Sequence, residues 1–167
     1  MDGRQRTARR RGPEPVITIV TTNSPSDGTP NQIIRHCAEC DGLPLDVSLK
    51  SLGFVASEQE LVVTVLSEAD GQTLSHDIVF SEGVLVFRVM DESHFIAWDS
   101  ALCTEHPPTS AVSEVLNSTY VQWFVQSATD THYSERDLRH IEIVTPDDCI
   151  DVIVHTHATF GLRGTVT

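Results

Sequence analysis

The stretch Glu60–Phe80 constrains the fold more than any other part of the chain. Glu60–Leu66 is a β-branched run, Ala69-Asp70-Gly71-Gln72 is a hairpin signal, and Thr73–Phe80 is a second strand-forming run. Asp-Gly supplies the positive φ of a tight two-residue turn, so the two runs should fold back on each other as antiparallel strands. Val84–Met90 follows across Ser81-Glu82-Gly83 as a further strand. Upstream, Leu45, Val47 and Leu49 alternate with Asp46, Ser48 and Lys50. The middle of the chain therefore predicts an antiparallel meander, with each short connection joining sheet neighbours.

The flanks read differently. Val16–Thr21 is β-branched throughout and predicts a strand, and Asn23–Pro30 is a loop by its turn residues. Asn31 could then cap a short helix with Ile33, Ile34 and Cys37 on one face. Asp91–Leu102 could hold another, bearing Phe95, Ile96 and Trp98. After Pro107-Pro108, Thr109 or Ser110 caps the best helical pattern in the chain. Val112, Val115, Leu116, Thr119, Tyr120, Trp123, Phe124 and Ser127 recur at the spacing of one buried helix face. Trp123 is accordingly expected in the core. Leu138–Val144 predicts a strand and Ala158–Val166 a last one. Between them, Thr145-Pro146-Asp147-Asp148 has the chemistry of a helix start, with a Thr cap, Pro at the first position and acids in the first turn. Ile150–Val154 is mostly β-branched and compatible with a strand; a short helix to about His155 is the expectation.

These elements add up to an α+β fold. It is an antiparallel meander sheet of about five strands packed by two or three helices, in a single domain. The domain spans residues 16–167, behind an arginine-rich tail over residues 1–15 that is expected to be disordered because it lacks hydrophobic periodicity.

Charge narrows the function classes. The chain carries a formal net charge of −13, and the tail conceals part of the excess. Residues 16–167 hold 22 acidic and six basic residues, a net of −16. Such a field repels nucleic acid and anionic membrane and attracts basic partners. No stretch approaches the roughly 20 apolar residues of a membrane helix. Met1–Pro15 lacks the apolar segment of a secretory signal, so a cytoplasmic location is expected. Free thiols or a metal site, instead of disulfides, are expected from that location, and the sequon Asn117-Ser118-Thr119 is then a chance match.

Chemistry-bearing patterns are sparse. Cys37-Ala38-Glu39-Cys40 is a Cys-x-x-Cys and Cys103-Thr104-Glu105-His106 a Cys-x-x-His. Together Cys37, Cys40, Cys103 and His106 have the ligand count and paired spacing of a structural zinc site. The alternative for the cysteines is a role as small buried hydrophobes. A second metal candidate is a cluster of His132, His140, His155 and His157, with an acid such as Asp151. Catalytic signatures are missing: the chain has no Gly-x-Ser-x-Gly elbow, no phosphate loop and no dinucleotide fingerprint, and no serine falls on an evident strand–helix turn.

Three segments carry a resemblance. In order they are Val89-Met90-Asp91-Glu92-Ser93, then Tyr120-Val121-Gln122-Trp123-Phe124, then His140 through Val152. From Val86 onward this order of features resembles a loose group of small uncharacterised bacterial α+β proteins. The resemblance covers under half the chain, rests on structural residues instead of a catalytic signature, and implies a fold and a bacterial origin only.

The sequence thus predicts a non-enzymatic acidic cytoplasmic protein, an interaction module of the immunity- or antitoxin-like sort for a basic partner. No cofactor is expected. The alternative is a zinc-binding protein built on one of the two metal candidates.

Overall fold

The computed structural model describes residues 32–91, 110–128 and 133–166. They form two antiparallel sheets. In chain order the strands are β1 (Ile33–His36), β2 (Ser48–Val55), β3 (Glu60–Ala69), β4 (Gln72–Ser81), β5 (Val84–Asp91), β6 (Val112–Leu116), β7 (Leu138–Val144), β8 (Asp148–His155) and β9 (Thr159–Val166). One α-helix, α1 (Thr119–Ser127), lies among the described residues. The first sheet has the order β1-β6-β7-β8-β5, the second β2-β3-β4-β9.

The expected α+β architecture is therefore corrected to a mostly β one. Two sheets of five and four strands replace the single meander of about five strands, and among the described residues one α-helix stands where two or three were expected. Three misread segments account for the difference. Ile33–His36 is a strand paired with β6, and Cys37 leads into a 3-10 turn, Ala38–Cys40, instead of ending a helix. Val112–Leu116 is also a strand, so the long predicted helix shrinks to its second half. Asp148–His155 is a strand buried along nearly its whole length. At its start, Thr145 Oγ1 accepts from the Asp148 amide (2.9 Å) while Thr145 N donates to the Asp148 carbonyl (2.8 Å). Those bonds close a hairpin turn between β7 and β8, using the same Thr-Pro-Asp-Asp chemistry that would start a helix. The predicted elements at 16–21, 23–30 and 92–102 lie outside the described residues.

The central hairpin forms as its sequence requires. Asp70 and Gly71 adopt φ of 52° and 74°, and β3 pairs with β4 from Ala69↔Gln72 to Leu61↔Phe80. The next connection departs from the meander. Glu82 and Gly83 also have positive φ, 69° and 70°, but here the chain crosses from the second sheet to the first. β8 crosses back to β9 alongside, and the His155 amide donates to the Gly83 carbonyl at 3.0 Å. A short loop thus joined strands of different sheets, which loop length alone does not forbid.

Burial explains both sheets. In β3, Leu61, Val63 and Val65 are fully buried while Val62, Thr64 and Leu66 are half-buried, the alternation of a strand with one face in a core. They share one apolar cluster with Ile78 and Phe80 of their own sheet and with Val112, Ile141, Ile143, Ile150, Val152 and Val154 of the other. Phe54 of β2 meets Phe87 of β5 across the gap, ring centroids 5.6 Å apart. The first sheet is covered on its second face too: Tyr120 and Val121 of α1 pack with Leu138 and Ile153. A strand buried on both faces reads as a continuous apolar run instead of an alternating one, which is the pattern of Val152-Ile153-Val154.

A buried ion cluster sits at the edge of this core. Glu114 of β6 accepts from Arg139 of β7 through Nε (3.1 Å) and Nη2 (3.0 Å), and also from Arg35 of β1. Arg139 reaches Glu39 at 2.9 Å as well. Burial alone would push the Glu114 carboxyl up; the hydrogen bonds and charges of the two arginines outweigh it and hold it below the ordinary range.

Candidate functional site

Helix α1 and the sheet face beneath it hold the densest polar chemistry of the domain. Its start is built by a strand–turn–helix. β6 ends at Leu116, Asn117 takes φ of 54°, and Ser118 caps the helix by accepting from the Val121 amide at 3.1 Å. A left-handed Asn followed by a Ser cap reverses the chain within two residues. Ser118, and neither Thr109 nor Ser110, is therefore the N-cap.

The Ser118 hydroxyl lies 2.8 Å from Nδ1 of His140, and His140 Nε2 lies 2.8 Å from Oδ1 of Asp151. Exposure is 5% for Ser118, 4% for His140 and 1% for Asp151. β7 and β8 place the last two diagonally across the strand pair, where His140 is opposite Ile153 and Asp151 opposite Glu142. Asp151 Oδ2 accepts from Arg88 Nε of β5 at 2.5 Å, directly opposite in the β5–β8 register. An ionised carboxylate only accepts, so Nε2 must carry a proton toward Asp151. With the ring neutral, Nδ1 is then the acceptor of the Ser118 hydroxyl. Burial pushes the Asp151 carboxyl up, and the hydrogen bonds and charges of His140 and Arg88 reverse that and hold it below the usual carboxylate range.

Aromatic rings continue the network outward. The Arg88 guanidinium carbon sits 4.0 Å over the Tyr120 ring, Tyr120 meets His140 edge-on at 5.5 Å, and Tyr120 stacks on Trp123 at 5.5 Å and 9°. Trp123 is 54% exposed, which corrects its expected place in the core. Once the helix starts at Thr119, it is Tyr120, Val121 and Phe124 that pack inward, and the indole lies on the outer side. An open depression of about 510 Å³ lies beside it, lined by Val86, Phe87, Arg88, Thr119, Tyr120 and Trp123.

The metal candidates fare as follows. Cys37 and Cys40 are buried, unbridged members of the main core cluster. Hydrogen bonding to Cys40 and burial push the Cys37 thiol far above its ordinary range. Cys103 and His106 lie outside the described residues. Of the histidine cluster, His132 lies outside them as well. His155 stacks on His157 at 4.8 Å, whereas His140 is committed to Ser118 and Asp151.

Glu142, Cys149 and Asp151 bring potential ligand atoms within 4.8 Å of one another. Asp151 already serves His140 and Arg88 with its two oxygens, and burial pushes the Cys149 thiol up.

Sequence reasoning missed the Ser118–His140–Asp151 series. Reading Val112–Ser127 as one helix hid the strand–turn–helix that positions the serine. Asn117-Ser118 after an apolar run was the available signal. No family model, no curated protein and no solved structure matches this chain, so the geometry of the site is what its function must be argued from.

Proposed function

We propose that this acidic domain is a protein-interaction module for a basic partner, with the exposed Trp123–Tyr120 stack as its contact point. The observation that carries the reading is the stack itself. An indole left 54% exposed on a helix, rigidified by a neighbouring ring and bordered by an open depression, has the character of an interface anchor. Its exposed π face suits a lysine or arginine of the partner.

Charge supports the choice of partner. Four basic side chains, Arg35, Arg88, Arg139 and Arg163, are held in ion pairs within the domain. Exposed acids crowd the turns: Glu58, Asp70, Glu82, Glu135, Asp137 and Asp147. They occupy several turns instead of one patch, so the field steers an approaching cation while the aromatic pair fixes where it docks. The same field disfavours nucleic acid. Unbridged Cys37, Cys40 and Cys149 support a cytoplasmic setting. No helix among the described residues is long and apolar enough to cross a membrane.

Capture from lysate at low and high salt, with wild type and Trp123→Ala side by side, tests the reading. A basic protein should be retained at low salt. When purified and titrated alone, it should bind Trp123→Ala at least tenfold more weakly. Rebinding of the pure partner with equal affinity to both forms, or no basic protein retained, refutes it.

A further inference from the structure

Ser118, His140 and Asp151 form a proton-linked series that a binding role leaves unused. Hydroxyl, imidazole and carboxylate are joined by two contacts of 2.8 Å, with the serine on a strand–turn–helix. Ser118 and His140 also line a cavity of about 350 Å³, together with Glu114, Val121, Leu138 and Arg139. We propose that this cavity is a second functional site, a hydrolase centre for small carboxylic esters in which Ser118 is the nucleophile and His140 its general base. Asp151 is the positioning residue that holds the imidazole in the tautomer with Nδ1 free to accept. The roles are those of a serine-hydrolase triad, with the two ring nitrogens exchanged.

The chemistry closes without a cofactor. Ser118 Oγ bonds to the ester carbonyl carbon as its proton passes to His140 Nδ1, and the carbonyl π pair moves onto oxygen. Collapse of that intermediate breaks the bond to the alcohol, and the departing alkoxide takes the proton from Nδ1. Water then attacks the acyl-Ser118, giving a proton to Nδ1; the carboxylic acid leaves and the serine oxygen recovers that proton.

Two features of the chain favour these steps. The serine oxygen donates to His140 and accepts from Val121, which leaves a lone pair for attack. The amides of Thr119 and Tyr120 precede the first intrahelical bond, made by the Gln122 amide to the Ser118 carbonyl. They put the positive end of the helix dipole next to Ser118 in the chain.

The test uses the full chain with p-nitrophenyl acetate as substrate and a fluorophosphonate as label, the adduct located by tandem mass spectrometry. The expected result is a single adduct on Ser118. Its rate of formation should rise with pH, since only a neutral imidazole can take the serine proton. His140→Gln should slow labelling about 10²- to 10⁴-fold and abolish that pH dependence. Asp151→Asn should slow it as well while keeping a rise with pH, since the base remains. A serine that only caps the helix would give no adduct on wild-type Ser118, and that outcome overturns the proposal. So does an adduct whose rate ignores pH, or labelling of His140→Gln at the wild-type rate. Should His140→Gln fail to fold, the wild-type adduct site and pH profile decide alone.

Discussion

His140 Nε2 lies 2.8 Å from Asp151 Oδ1, and both residues are buried beneath helix α1. This pair ties β7 to β8 on the face opposite the main core. Through Ser118 it also ties the start of α1 to the sheet. A polar bond of this kind inside an apolar shell contributes modestly when made and costs more when broken, because each partner has lost its water.

Acid sensitivity follows from Asp151 and Glu114. Both carboxyls are held below their ordinary range in the folded state. A depressed folded pKa contributes stability that is fully present above the unfolded value, roughly 3.9 for Asp and 4.3 for Glu, and is lost as pH falls through the folded one. Stability should therefore drop as pH falls below about 4–5, and Asp151→Asn should flatten that drop while lowering stability at neutral pH. Urea unfolding at a series of pH values between neutrality and acid measures both. An Asp151→Asn slope as steep as wild type would exclude Asp151 as a source.

Trp123→Ala should change stability by less than about 1 kcal/mol, since the indole is largely in water. Phe80→Ala is the contrast. Phe80 is fully buried and stacks on Phe160 at 5.1 Å, so truncation should cost about 3–5 kcal/mol. Equal losses in chemical denaturation would mean that Trp123 is packed after all.

Arg139→Met should destabilise by about 3 kcal/mol, because it leaves Glu114 buried with Arg35 as its remaining arginine partner. Replacing Glu114 with Gln in the same background should recover part of that loss by removing the stranded charge. A double mutant less stable than Arg139→Met would contradict the stranded-charge account.

Gly83→Ala probes the sheet crossing. The residue has φ of 70°, and an added Cβ would lie 3.0 Å from the Ala158 Cβ of the neighbouring crossover. Backbone strain and overpacking together should cost about 2–3 kcal/mol. Gly71→Ala, at φ of 74° with open space around it, carries the strain alone and should cost less. Thermal melts of the pair compare them directly; equal losses would show that the two crossovers are not tightly packed.

Legibility in the sequence tracked how local the determinants were. The β3–β4 hairpin was readable because Asp70-Gly71 encodes its own turn and each strand buries one face. β7 was readable for its β-branched run. The β6–α1 junction was not, since Val112, Val115, Leu116 and Thr119 satisfy helical spacing while residues 112–115 are in fact buried as a strand next to β1 and β7. The buried place of Glu114 in that strand depends on Arg35 and Arg139, which lie 79 and 25 residues away. The candidate site was hidden for the same reason. Ser118, His140 and Asp151 are separated by 22 and 11 residues and meet only through strand pairing and the seat of α1.

By itself, the sequence determined the acidity, the β-branched runs of the hairpins and the positive-φ turns, because each depends on residues and their immediate neighbours. The tertiary structure decided the rest. It settled that β8 is a strand, because both of its faces found cover, one from the second sheet and one from α1. It also settled that Glu82-Gly83 joins two sheets, that Trp123 faces out while Tyr120 packs in, and that Ser118 meets His140. Burial and pairing energies between distant segments exceed the few tenths of a kcal/mol by which local propensities differ, so they choose among the local conformations that the chain permits.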